Sequence, residues 1–201
     1  MNIQQIRLLV YVMIAVDVAI IALFFFTPAF DGLKTKLNLP AKATNTTTPA
    51  VTLAVGNKAP LHMVFEASGT KPTLTLQQFV DAHQNVILVF YPMDDTPLCT
   101  IQLCALRDNY QAVLATGTAV LGVNPASVES HTKFANHHHY PFPILVDKQL
   151  QLAKALGVGD VFGTNDRTVV ILDATGIVTW FEKGNPSVKT ILANIPPKVK
   201  A

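Results

Sequence analysis

The sequence predicts an α/β domain, a mixed sheet flanked by helices, preceded by an N-terminal transmembrane helix. Three observations carry this reading. Apolar strand-like runs alternate with helical patterns from Gly56 onward. One of those runs, NVILVFY at 85–91, is continuously apolar, as a central strand covered on both faces should be. Far upstream, LLVYVMIAVDVAIIALFFF at 8–26 contains one charge, Asp17.

That upstream run sets the N-terminal element. About 19 residues at ~1.5 Å each nearly span a bilayer core. A cleavable signal has a shorter apolar region, about 7–15 residues, and a small-residue cleavage site. The TPAF that follows Phe26 is a poor match. The run therefore reads as an uncleaved anchor within 1–27, ahead of a cleaved signal or a buried helix. Asp17 costs about 2.5–3.5 kcal/mol at mid-bilayer, which the surrounding Ile, Leu and Phe can carry. Lys34, Lys36 and Lys42 outnumber Arg7 and would keep the downstream side in the cytoplasm. A seven-residue tail, in contrast, stays inside while a long domain is translocated. The reading leans to the second and places the domain outside the cytoplasm, in the periplasm.

Residues 28–55 read as a linker, because PAKATNTTTPA at 40–50 lacks large apolar side chains. Unfolded, it spans roughly 30 Å. Asn45-Thr46-Thr47 matches a glycosylation sequon, a pattern common by chance. The domain proper covers 56–196, enough chain for a real core, and 197–201 is a tail. Half of the 201 residues are hydrophobic and the formal net charge is +2. No basic run is interleaved with aromatics, which argues against nucleic acid as a partner.

Within the domain, 61–67 is strand-like and 74–83 helical, with Leu76, Phe79 and Val80 on one face. After the central strand, a helix runs from Pro97 to about Ala115. Residues 118–123 form a strand ending at Asn124-Pro125, and 127–138 a helix capped by Ser127 with Glu129 in its first turn. A strand at 143–146 and a helix at 149–156, stopped by Gly157, come next. Strands at 168–172 and 177–182 flank Asp173-Ala174-Thr175-Gly176, a hairpin signal. A helix at 188–193 closes the domain.

The chemistry concentrates in YPMDDTPLCTIQLCALRDNY, residues 91–110, which holds both cysteines of the chain. Thr96-Pro97 has the form of an N-cap and a proline at the first helical position. Cys99 then lies in the first turn, where unpaired N–H groups and the helix dipole favour a thiolate. A free thiol is only about 3% ionised at pH 7, so a thiol nucleophile gains from such a position. A small buried hydrophobe fits these features equally well. Cys104 changes the balance. Five residues along a helix is a rotation of about 140° and a rise of about 7.5 Å. A disulfide needs Cα atoms within roughly 7 Å and facing Cβ atoms. The spacing therefore keeps the thiols apart in the helical state and lets them join only if the turn unwinds. Zinc fits poorly, since C-x4-C lacks a second ligand pair.

Pro92, Thr96 and Cys99 form P-x-x-x-T-x-x-C, and this run resembles the active-site signature of peroxiredoxins. The longer Y-P-x-D-D-T-P-x-C-T-x-Q-x-C-x-L-R-D-N-Y is similar to the bacterioferritin comigratory protein branch, peroxiredoxin Q, of the AhpC/TSA superfamily. The likeness extends over 56–195. Gly56-Asn57-Lys58-Ala59-Pro60 fits the family's opening G-x-x-A-P, and Asp166-Arg167-Thr168 falls where the family places an arginine. Leu98 stands where the family commonly has glycine and leaves peroxide size open.

The resemblance implies a thioredoxin-like fold and a thiol peroxidase that acts as a monomer with no metal or organic cofactor. It implies that Cys99 attacks peroxide and becomes a sulfenic acid. Cys104 then resolves it to an intramolecular disulfide, and thioredoxin or another dithiol reduces that bond. On the same basis Thr96 hydrogen-bonds thiolate and peroxide, Arg167 stabilises their charge, and Pro92 shields the thiolate. A thiol–disulfide oxidoreductase is the alternative enzyme, although C-x-x-C is missing. A non-catalytic redox sensor on a membrane stalk is the alternative from another class.

Other signals are weaker. His137-His138-His139, with His131 upstream, suggests metal, but adjacent helical residues point apart, so a solvated helix end is expected. Asp94 and Asp95 suit either the helix N-terminus or a solvated loop. Arg107 and Asp108 have no required chemistry, and Trp180 is expected in the core.

Overall fold

The computed structural model describes residues 51–69 and 73–197. The predicted anchor at 8–26, most of the linker and residues 198–201 lie outside the described residues. Among the described residues no helix is long and apolar enough to cross a membrane.

The domain opens with β1 (Val64–Glu66) and β2 (Thr73–Thr75), paired antiparallel. The sequence pattern predicts a helix from residue 74. Thr73-Leu74-Thr75 instead alternates β-branched residues around buried Leu74 and pairs as a strand. Helix α1 (Leu76–Ala82) follows; the Thr75 N–H donates to Gln78 Oε1 at 3.2 Å across its first turn.

Next come β3 (Asn85–Phe90), α2 (Pro97–Asp108) and α3 (Tyr110–Ala115). A single helix was expected over 97–115. It breaks at Asn109, whose backbone leaves the helical region (φ −109°, ψ 14°) while its side-chain amide donates to the Ala105 carbonyl at 2.9 Å. After β4 (Thr118–Asn124), α4 (Val128–His138) begins under the predicted cap: Ser127 Oγ accepts from the Ser130 N–H at 3.2 Å. Strand β5 (Ile144–Val146), a 3₁₀ turn and α5 (Gln151–Leu156) complete this half. Gly157 ends α5 at φ +77°, where a Cβ would collide with the backbone of Val51 and Leu53.

A two-residue-per-strand hairpin, β6 (Asp160–Val161) and β7 (Thr164–Asn165), was not foreseen. Its turn residues, Phe162 and Gly163, both have positive φ (54° and 79°), as a type I′ turn requires. Phe-Gly is not among the usual dipeptide signals for that turn. The last elements are β8 (Thr168–Asp173), β9 (Val178–Lys183) and α6 (Val188–Ala193).

The main sheet has the order β5-β4-β3-β8-β9, parallel on the β3–β4–β5 side and antiparallel on the β3–β8–β9 side. The continuous apolar run is indeed the central strand, buried at all six positions. Its alternation divides the core. Val86, Leu88 and Phe90 pack with Leu76, Leu152 and Leu156 on one face. Ile87, Val89 and Tyr91 pack with Cys99, Leu103, Leu106 and Phe134 on the other. Each fully buried Leu or Phe contributes about 1.5–3 kcal/mol by leaving water. Helix α2 is thus held on the sheet by its own apolar stripe, with Cys99 part of that stripe. Trp180, expected in the core, is half-buried on the edge strand β9 opposite Ile171.

Candidate active site

Strand register builds the site. Phe90, the last residue of β3, pairs with Thr168, the first of β8. The chain that leaves β3 toward α2 therefore passes beside Arg167, which immediately precedes β8. Helix α2 starts at Pro97 after an extended Thr96, and its backbone ladder begins with Thr100 N–H donating to the Thr96 carbonyl at 2.9 Å. The Leu98 and Cys99 N–H groups lie ahead of that first bond, at the positive end of the helix.

Cys99 is fully buried in the first turn of α2. The Arg167 guanidinium lies against it, with Nη2 donating to Sγ at 3.2 Å. Nη1 of the same side chain donates to Gln102 Oε1 at 2.9 Å. Gln102 is one helical turn beyond Cys99, so one guanidinium fork spans two residues of one face. The sequence signal for Gln102 is its i+3 spacing from Cys99. Thr96 is placed at the helix N-cap, and its hydroxyl proton goes to the Met93 carbonyl at 3.1 Å. That leaves its oxygen lone pairs, not its proton, for a ligand. Pro92 is half-buried at the start of the loop, and Leu98 is exposed on the helix surface.

The loop is pinned from beneath by a buried polar network. Asp94 Oδ1 accepts from Tyr91 Oη at 2.8 Å, and its Oδ2 accepts from Ser130 Oγ at 2.6 Å and from His131 Nδ1 at 2.8 Å. His131 Nε2 faces the Asn124 carbonyl at 3.3 Å, and Asn124 Nδ2 donates to the Tyr91 carbonyl at 2.9 Å. Burial alone would raise the Asp94 carboxyl, but bonds from His131, Ser130 and Tyr91 outweigh it and hold it below the usual carboxylate value. Burial, and then the Asp94 charge, push the Tyr91 phenol well up, so it stays a donor. Asp94 is therefore not in a solvated loop, and His131 is a fully buried partner to it. Pairing across 37 residues leaves no local signature.

Cys104 lies further along α2, half-buried, and both thiols are free. Its Sγ is 3.7 Å from Tyr140 Oη and 3.9 Å from His138 Nδ1. His137 and His139 are exposed, as a solvated helix end should be, but His138 is not. It lies edge-on to Phe134 at 5.1 Å and stacks on Tyr140 at 5.5 Å. Arg107, thought to have no task, donates from Nη1 to the His138 carbonyl at 2.7 Å and so holds the C-terminus of α4. Among the described residues no group of three or more His, Cys, Asp or Glu is placed to hold a metal ion.

A buried thiol at a helix N-terminus, bonded to an arginine and followed by a second thiol on the same helix, defines a thiol-based redox enzyme. Comparison with known proteins narrows the class. Residues 55–181 match the AhpC/TSA family. A chloroplastic peroxiredoxin Q of Populus jackii is 34% identical over 155 residues, 74% of this chain and 71% of that protein. Peroxiredoxin Bcp of Bacillus subtilis is 33% identical over 134 residues, 63% of this chain and 82% of that protein. Some plant relatives match over only about half their length, as in Sedum lineare (42% over 95 residues, 51% of that protein). A solved structure of Xanthomonas campestris peroxiredoxin Q superposes with a TM-score of 0.60 at 26% identity, covering 72% of this chain and 94% of that one. The fold is thus the thioredoxin-like α/β fold that the resemblance implied. The chain belongs to the AhpC/TSA family, among its peroxiredoxin Q and Bcp members, and its enzyme class is thiol-dependent peroxidase.

Proposed function

We propose that this peroxidase works through a two-cysteine cycle confined to α2. The Cys99 thiolate attacks the terminal oxygen of hydrogen peroxide or a small organic hydroperoxide. The S–O bond forms as the O–O bond breaks, and the leaving oxygen departs as water or alcohol. Arg167 stabilises the thiolate and then the charge on the leaving oxygen. Thr96 accepts a hydrogen bond from the peroxide O–H, and Pro92 screens the thiolate from water. The Cys104 sulfur then displaces hydroxide from the Cys99 sulfenic acid, giving the intramolecular disulfide and water. A thioredoxin-type dithiol restores both thiols by exchange. The observation that carries this reading is the 3.2 Å contact between Arg167 Nη2 and Cys99 Sγ.

The spacing of the two thiols on an intact α2 supports a cycle in which the helix opens after oxidation, since the helical form cannot contain the bond. We further propose that residues 8–26 tether this monomeric enzyme to a membrane through the 28–55 linker, with its domain on the periplasmic side. The support is the length and apolarity of that run. An alkaline-phosphatase fusion at the C-terminus is expected to be active, and an inactive fusion reverses the orientation.

The cycle is tested by turnover with thioredoxin, its reductase and hydrogen peroxide. Repeated consumption is expected, together with an intrachain Cys99–Cys104 crosslink by mass spectrometry. A single oxidation without turnover identifies a sensor. Turnover without that crosslink removes Cys104 from the cycle.

A further inference from the structure

The resolving step poses a chemical problem. An attacking thiol must lose its proton, and an unassisted thiol is only about 3% ionised at pH 7. Cys99 has the helix N-terminus and Arg167 for its own thiolate. Cys104 is in the second turn of α2, beyond the free N–H groups, with a different set of neighbours.

Those neighbours form a line. His138 presents Nδ1 to Cys104 Sγ at 3.9 Å and Nε2 to Asp95 Oδ1 at 3.9 Å. A carboxylate beside Nε2 favours the tautomer with the proton there, which leaves the Nδ1 lone pair facing the thiol. Tyr140 Oη approaches the same sulfur at 3.7 Å. The imidazole is fixed by its stack on Tyr140, its edge contact with Phe134 and the Arg107 bond to its own carbonyl. Asp95 is held at φ +55° between Asp94, which the buried network anchors, and the Thr96 cap. Three elements thus converge: the loop before α2, α2 itself and the C-terminal turn of α4.

The geometry points to His138 as the general base of the resolving step, with Asp95 orienting its ring and Tyr140 donating a hydrogen bond to the Cys104 sulfur. His138 Nδ1 takes the Cys104 proton while α2 is still helical. The resulting thiolate attacks the Cys99 sulfur once the turn opens. The S–S bond forms, the S–O bond breaks, and hydroxide leaves with one proton as water. That proton is the one His138 removed, so no further reactant is needed. The inference rests on the resolving role proposed above for Cys104. At 3.9 Å the imidazole–thiol contact is that of the resting enzyme, and it tightens as the reacting state forms.

The charged groups around the ring set its protonation. Burial lowers the His138 pKa first and His137 lowers it further; Asp95 raises it, while Arg107 and His139 lower it. The net direction is downward, so the ring is neutral at pH 7 and free to accept a proton. Burial, and then the contact with Cys104, push the Tyr140 phenol far up, so it remains a donor.

Stopped-flow mixing with one equivalent of peroxide, followed by Trp180 fluorescence and acid quench, reads peroxidation and resolution as two phases of one trace. In His138→Gln the ratio of resolution rate to peroxidation rate is expected to fall about 100-fold, the low end for loss of a general base. The parent's resolution rate should level off above the imidazole pKa, and the variant's should keep rising with pH toward the thiol range. In His138→Ala, added imidazole should recover a tenfold or greater part of the loss, which a packing defect would not allow. A His138→Gln ratio within twofold of the parent, an unaltered pH profile or no response to imidazole overturns the assignment of His138. Absence of a Cys99–Cys104 disulfide in the oxidised parent overturns the resolving role of Cys104 itself, a separate outcome read by mass spectrometry.

Discussion

Arg167 reaches Cys99 from across the sheet: 68 residues separate them in sequence, and 3.2 Å separates Nη2 from Sγ. Strand pairing supplies the approach, because Phe90 and Thr168 are register partners. The same guanidinium holds Gln102, so its plane is set by two acceptors on one helix face.

Arg167→Gln is therefore expected to slow the second-order reaction with hydrogen peroxide by about 100-fold or more, the scale for removing one electrostatic donor. Arg167→Lys keeps the charge but not the two-pronged geometry, and should recover only part of that loss. Stopped-flow peroxide consumption checks both. A rate within threefold of the parent for Arg167→Gln would remove the guanidinium from the chemistry.

Cys99→Ser should abolish peroxide consumption, whereas Cys104→Ala should still react once. In Cys104→Ala the sulfenic acid persists and takes up a dimedone-type probe, detected as a mass increment on the peptide that holds Cys99. An unlabelled peptide after a peroxide pulse would contradict the resolving role.

Asp94→Ala strands three donors, the buried Tyr91 Oη and His131 Nδ1 and the half-buried Ser130 Oγ. A loss of about 3 kcal/mol is expected. The carboxyl's folded pKa lies below its unfolded value near 3.9, so its stabilisation is fully present above that value. It is lost as pH falls through the lowered folded value. Thermal melts should show a constant gap between parent and variant at pH 5–7. The gap should narrow only below about pH 4.

Gly157→Ala tests the strap formed by residues 51–53, whose backbone lies against the end of α5. At φ +77° an L side chain costs about 1–2 kcal/mol, and the added Cβ would meet the Val51 and Leu53 backbone. The expected result is a lower melting temperature together with faster proteolysis near Leu53. An unchanged melt would show that the strap carries no load.

Much of this architecture was legible before any coordinates. The apolar run at 85–91 announced a doubly covered strand, and Ser127 announced a helix start, because both depend on local pattern. The placement of Cys99 in a first helical turn was legible for the same reason, through the proline and the cap ahead of it. What the pattern hid was contact at a distance. Asp94 looked like a loop acid and His138 like one of three solvated imidazoles. Only the packing of α4 against the 91–96 loop and α2 makes one a buried anchor and the other a neighbour of Cys104. The helix break at Asn109 was missed because asparagine is only mildly unfavourable in a helix, and its side-chain bond to Ala105 decides the matter.

That break acts as a firebreak. Beyond it α3 is a separate segment, seated in the core through Val113. In the proposed cycle the segment that must open on oxidation and re-form on reduction is therefore bounded by the 12 residues of α2.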